Sequence, residues 1–313
     1  MTESIVLKPV ESVEKDSLNL MLLILKKLRK KLIIFFSLIF ILFCLIVSVF
    51  AYFIIPDDSQ YSNQMHLEIN SMPPGFKTFI IEIPNNQKKS NNHLSEKFLG
   101  NKFPNKEIVA KKYNLSKNGI EILNYNNEKQ LISYNLFPKT FNLSEIEKEY
   151  VSQRKYIFGT DRFGRDYFGR IILGTRASLS IGFLAVFISL IIGLFIGMIG
   201  GYFGGIIDKL IVTLINIFWS IPTLLLVIAI SVALGKGFWQ VYIAVGLTMW
   251  VEVARIVRGQ VISEKNKDYI LATKVLGYST LRIFYCHLLP NIIGPILIIC
   301  AANFASAILI ESG

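Results

Sequence analysis

The sequence predicts an all-α polytopic membrane protein of five spans with a polar insert, and three observations lead there. Of 313 residues, 52% are hydrophobic and 18% charged, with a mean hydropathy of +0.49, more apolar surface than one soluble core of this length needs. The surplus is gathered into long uninterrupted runs. The basic residues of the short connections fall on one side of the topology those runs imply.

The first run covers residues 32–55 and follows Lys26, Lys27, Arg29, Lys30 and Lys31. Its length exceeds the roughly 20 residues a helix needs to cross the hydrocarbon core. It is too long for a signal-peptide core and no small-x-small cleavage site follows it, so it is expected to remain as an anchor. The basic cluster places residues 1–31 in the cytoplasm. From 56 to 157 the composition turns to Asn, Lys and Glu, with apolar alternation at 79–83 and turn signals at Pro73-Pro74, Pro84-Asn85 and Asn118-Gly119. This predicts an external insert with short strands, disorder being the competing reading.

Residues 158–313 form the expected membrane core, with spans at about 178–200, 206–234, 241–257 and 288–310. Beginning inside, they leave 201–208 and 258–287 in the cytoplasm and 235–240 outside. Arg255, Arg258, Lys265, Lys267, Lys274 and Arg282 all fall on the cytoplasmic side, as the positive-inside bias requires. Gly193, Gly197, Gly201 and Gly205 recur every four residues and predict a helix-packing face. Ser220-Ile-Pro222 predicts a kink near Trp219. Two carboxylates fall within spans, Glu252 close to the inner surface and Glu311 at the outer end; those positions argue against an intramembrane proton relay.

Two segments carry mechanism. In residues 250–295, Asn266 is placed to cap a short helix ending at Gly277, and Ser279 a second one leading up to Pro290. A helix, a sharp turn and another helix would then lie at the membrane surface, with Ala272 and Thr273 small enough to press into a groove of another protein. Ahead of the second span, 158–170 reads Phe-Gly-Thr-Asp-Arg-Phe-Gly-Arg-Asp-Tyr-Phe-Gly-Arg. There Asp161, Arg165, Asp166 and Arg170 can pair on an external lead-in helix, with Gly159 and Gly164 permitting tight turns.

The first segment resembles the EAA loop of binding-protein-dependent ABC importer permeases of the dipeptide, oligopeptide and nickel group. Asp268, Tyr269, Ala272, Thr273, Gly277, Leu289 and Pro290 carry the resemblance, with 13 positions from the glycine to the proline. It departs from the family pattern at Asp268 for Glu, at Thr273 for the second Ala, and at His287. The second segment, through Gly159, Thr160, Asp161, Gly164, Arg165, Asp166 and Arg170, is similar to the signature of C-type subunits of dipeptide and oligopeptide permeases; Gly169 stands where serine is usual.

The resemblance implies the type I importer permease fold in a bacterial cytoplasmic membrane. It implies a second homologous permease, two ATP-binding cassette ATPases docked on 258–287, and an external binding protein that delivers peptides, or else nickel or another small solute. Such permeases continue through a sixth span, which is not found before residue 313. A membrane-anchored receptor or assembly protein built on the insert is the rival reading.

Absences fit a transport subunit. No Gly-x-x-x-x-Gly-Lys-Ser/Thr loop occurs, so ATP is expected to be used by partner chains, and no cofactor is expected on this one. His66, His93 and His287 are scattered, and Cys44, Cys286 and Cys300 lack ligand or CxxC spacing, so neither a catalytic group nor a metal site is expected. The net charge of +11 flanks apolar runs or lies in the insert without an aromatic-laced basic stripe, which argues for membrane lipid rather than nucleic acid as the partner.

Overall fold

The computed structural model describes residues 31–57, 59, 62–85, 98, 100, 101, 104–138, 143–235 and 237–312. Lys26, Lys27, Arg29, Lys30, His93 and Gly313 lie outside the described residues. The chain divides into two compact units, Met1–Arg176 and Ala177–Gly313.

The first unit opens with α1, Leu32–Val49, none of whose residues is buried. An apolar helix exposed on every side is what a lipid-facing span looks like without its lipid. The insert that follows folds into two three-stranded antiparallel sheets, so the chain as a whole is not all-α. One sheet has the order β2-β1-β6 and the other β3-β4-β5. Their strands are β1 Phe76–Ile83, β2 Lys106–Ala110, β3 Lys112–Ser116, β4 Gly119–Leu123, β5 Lys129–Ser133 and β6 Val151–Tyr156, with helix α2, Leu143–Tyr150, before β6.

Beneath the Asn- and Lys-rich surface, Ile81, Ala110, Ile120, Ile122, Ile132, Phe137 and Ile146 make one apolar core drawn from both sheets and α2. A polar composition therefore conceals enough isoleucine to fold. The expected turn at Asn118-Gly119 closes the β3–β4 hairpin, where Ser116 pairs with Gly119. The β4–β5 turn puts Asn127 at φ 60°, a left-handed conformation that Asn tolerates.

The second unit is helical. Helix α3, Tyr167–Phe203, has 37 residues, about 56 Å at 1.5 Å per residue, and is followed by α4, Gly205–Trp219, and α5, Thr223–Leu234. The expected kink is a full break, α4 and α5 meeting at 89°. Pro222 offers no N–H to the Phe218 carbonyl and clashes with it, and the residue before a proline is driven out of the helical region. Helix α6 spans Phe238–Glu264, α7 Asp268–Val275 and α8 Leu289–Ser312. Among the described residues four helices are long and apolar enough to cross a membrane, or five if the bent α4–α5 pair counts as one span.

Helices α3 and α6 touch along a seam of small residues. A Cβ added at Gly193 would lie 2.8 Å from the Trp250 carbonyl oxygen, at Gly197 2.6 Å from that of Ala254, and at Gly201 2.9 Å from that of Arg258. Side chains are thus excluded at every step, and the backbones approach as small-xxx-small pairs allow. Gly205, expected in the same stripe, is not in it. The helix stops at Phe203, Gly204 and Gly205 turn the chain at φ 69° and 58°, and a Cβ on Gly205 would meet nothing.

Candidate functional site: a surface helix pair and a knitted lead-in loop

The segment after α6 begins with α7. Its N-cap is Lys267 rather than the expected Asn266 and has no side-chain capping bond; Asp268 supplies the negative charge in the first turn instead. Two further hydrogen bonds brace the entry, as Lys267 Nζ donates to Glu264 Oε1 at 2.6 Å and Tyr269 Oη to Glu264 Oε2 at 2.6 Å. Burial and this bond push the Tyr269 phenol up to about 12.

The exit of α7 is a Schellman turn. Gly277 lies at φ 75°, its N–H donates to the Lys274 carbonyl at 3.0 Å, and that of Tyr278 to the Thr273 carbonyl at 3.1 Å, the paired bonds of that motif. Ser279 then caps the next turn, Thr280–Arg282, by accepting from the Arg282 N–H. The second helix was expected to lead up to Pro290, yet it runs on. A π-helical segment, Ile283–Leu288, joins that turn to α8. Pro290 cannot donate to the Cys286 carbonyl and crowds it, and widening the helix by one residue relieves the clash.

One face of this helix–turn–helix is anchored. Ile270, Ile283, Phe284 and Leu288 are buried with Val257 and Val261 of α6 and Met198 of α3, and Lys265 Nζ donates to the Gly201 carbonyl at 2.7 Å. The other face is apolar and open, with Val275 88% exposed, Leu276 69%, Leu281 67% and Tyr285 62%. Among the loop residues singled out from sequence, Ile270's neighbour Thr273 turns inward and is 6% exposed. Asp268, Tyr269, Ala272 and Gly277 stay on the surface, Leu289 is half-buried and Pro290 exposed.

In the first unit the lead-in loop is tied to residues 63–73, a contact the sequence does not announce. Thr160 is buried; its hydroxyl donates to the Ile69 carbonyl and accepts from the Met72 N–H at 2.8 Å. Gly159 and Gly164 lie at φ 76° and 72°, and a Cβ on either would strike the Met72 or His66 carbonyl oxygen, at 2.1 and 1.8 Å.

Asp161 accepts from the N–H groups of Phe163 at 2.8 Å and Arg165 at 3.0 Å, and pairs with the Arg165 guanidinium at 2.7 Å. Arg170 stands 3.8 Å off. Burial pushes the Asp161 carboxyl up, but the Arg165 hydrogen bonds outweigh it and leave it below the ordinary carboxylate value. The network lies in a turn before α3 rather than on a lead-in helix. Asp166 is not part of it. It is 5% exposed, caps α3 by accepting from the Phe168 N–H at 3.1 Å, and burial pushes its carboxyl up.

The insert also holds an ion cluster that sequence reasoning missed. Arg154 on β6 grips Glu107 on β2 bidentately at 2.8 and 2.7 Å, and His66 Nε2 lies 3.1 Å from Glu107 Oε2. Burial pushes Glu107 up, but bonding to His66 and Arg154 leaves it lowered. Among the described residues no group of three or more His, Cys, Asp or Glu could hold a metal ion. Cys44, Cys286 and Cys300 are free thiols.

The second unit also holds a cleft of about 340 Å³ where the α4–α5 break faces α6 and α8, walled by Phe218, Trp219, Leu226 and Met249 among others, with Glu252 on its lining. Glu252 lies near the middle of α6, a 27-residue helix that continues past the expected end of its span to Glu264. At the cytoplasmic side of the expected topology, Arg258 clasps Asp208 at 2.5 and 2.7 Å.

Long apolar helices with a glycine seam, a proline break and a surface helix pair define a helical protein of the polytopic membrane class. Residues 168–312 match the model of the family "Binding-protein-dependent transport system inner membrane component". The chain is 40% identical over 173 residues to the oligopeptide transport system permease protein OppC of Bacillus subtilis, covering 55% of this chain and 56% of that protein. It is 38% identical over 155 residues to the dipeptide permease protein DppC of the same organism, covering 50% and 48%. Against OppC of Escherichia coli K12 it is 42% identical over 157 residues, covering 50% and 52%. The chain thus spans about half the length of the curated relatives it matches. Inward-facing MetNI methionine ABC transporter structures align at 20% identity with a TM-score of 0.40, over 45% of this chain and 71% of theirs.

Proposed function

We propose that the chain is a permease subunit of an ATP-driven importer of dipeptides or oligopeptides, the solutes named for its relatives. In this reading residues 258–290 receive the work of two separate ATPase subunits. A second permease completes the pathway, an external binding protein delivers the solute, and the insert lies outside with the N-terminus in the cytoplasm.

The observation that carries the reading is the open apolar face of the α7 helix pair, held by its opposite face against α3, α6 and the π-helical segment. An exposed apolar surface on a rigid mount is what a partner groove requires. Val275→Asp with Leu276→Asp changes only surface positions and is expected to abolish co-purification of ATPase subunits while the chain still inserts in the membrane. Retained association and ATP-dependent peptide uptake would sink the proposal. Uptake that survives ATP depletion and stops with a protonophore would favour a secondary carrier.

A further inference from the structure

Helix α6 carries a carboxylate that the other described residues leave unanswered. Glu252 is exposed, and among the described residues it makes no hydrogen bond or ion pair. It sits six residues beyond Arg258, about 9 Å of helix rise into the apolar part of the span from the Arg258–Asp208 pair. The nearby cation makes no ion pair with it: the Arg255 guanidinium lies over the ring of Trp219, itself a wall of the adjoining cavity, at 4.0 Å from its centroid. A carboxylate flanked by apolar residues of a span is expensive against lipid and persists where water, a polar pathway or a cationic ligand meets it.

The cavity beside it supplies the remaining chemistry. Glu252, Thr223, Thr248 and Ser306 share its lining with apolar and aromatic walls, and about 340 Å³ is within the range of small-ligand pockets. Thr248 donates its hydroxyl hydrogen to the Val245 carbonyl at 2.8 Å, leaving its oxygen to accept. The first-turn amides of α5, which begins at Thr223, have no acceptor within their own helix. The polar set thus offers a negative charge and hydroxyl acceptors for a cation, with amide donors for a neighbouring oxygen.

We propose that Glu252, Thr223, Thr248 and Ser306 form a binding site for an ammonium group adjacent to a carbonyl, the chemistry of a peptide amino terminus. Glu252 pairs with the ammonium, the α5 amides meet the carbonyl, and the aromatic wall takes the first side chain. The inference rests on the importer reading for its setting, since it places the site on the solute's path, and leaves the docking face untouched.

The test uses the tagged full chain purified with the subunits that accompany it, with L-phenylalaninamide as probe and its N-acetyl derivative as the uncharged control. Equilibrium dialysis is expected to show the free amine binding at least tenfold tighter than the control. Glu252→Gln should erase that preference, Glu252→Asp should keep part of it, and the control should be indifferent to both. Equal binding of the two amides, no binding of the amine to the unaltered complex, or a preference that survives Glu252→Gln would overturn the site. Loss of a co-purifying permease in Glu252→Gln, without amine binding in the unaltered complex, would assign the carboxylate to a subunit contact and also overturn it. ATPase co-purification reads the importer proposal separately. An amine preference in a chain that captures no ATPase keeps the site and sinks the importer, and the converse result does the opposite.

Discussion

Arg154 and Glu107 form a buried ion pair in the insert, with only 9% and 3% of their side-chain surface exposed. Removing one partner of such a pair strands the other charge, so Arg154→Met is expected to cost the insert roughly 3–5 kcal/mol, read by denaturant titration. Glu107 has its folded value lowered. Its contribution is therefore complete above the ordinary carboxylate value of 4.5 and is lost as pH falls through the lower folded one. Hydrogen-exchange protection of β2 and β6 should hold from neutrality to about that pH and decline below it; protection already falling at pH 6 would argue against this. The Asp161–Arg165 pairing was legible in the sequence because the partners are four apart. His66, Glu107 and Arg154 were not, because separations of 41 and 47 residues are closed only by the folded insert, through the sheet for Arg154 and through the loop before Leu67 for His66. Glu252 was visible as a residue, while the continuation of its helix to Glu264 was not, since the apolar pattern ends before the helix does.

At the scale of elements, the α3–α6 seam gives a direct expectation. Gly197→Val puts a branched side chain where a single Cβ already lies 2.6 Å from the Ala254 carbonyl oxygen. Overpacking of this kind costs about 1–3 kcal/mol, which unfolding in mixed micelles would report. Gly205→Ala meets no atom but adopts φ 58°, so its smaller penalty is one of backbone strain, about 1–2 kcal/mol. A four-residue spacing read from sequence treats both glycines alike, because it assumes a helix that does not pause. The loop was more legible. Ser279 and Gly277 fix a cap and a left-handed stop by chemistry that needs no tertiary partner, whereas the Asn266 cap lost to a helix that starts after Lys267. The insert's strands showed through at 79–83, while the second sheet hid behind lysine and asparagine on its exposed positions.

For the whole molecule the membrane orientation is the proposition most open to measurement. In a variant with the three native cysteines replaced by alanine, Lys129→Cys in β5 is expected to react with an impermeant maleimide in intact cells. Val275→Cys should react only after permeabilisation, and the reverse pattern would invert the proposed topology. The long apolar helices were legible because a bilayer demands long apolar runs, whatever surrounds them. The α4–α5 break was legible in position and not in angle, since a proline dictates what is lost and the packing around it decides where the chain goes next. The π-helical segment before Pro290 has a consequence for how the docking face is aimed. An α-helix turns about 100° per residue, so the one surplus residue in Ile283–Leu288 sets the azimuth of everything from Ser279 backwards relative to α8. Pro290, lacking an amide hydrogen, bars that surplus from migrating toward the span. Deleting one residue there would restore a regular helix and point Val275 and Leu276 about 100° away from where a partner would look for them, making a single residue count the gauge of the loop.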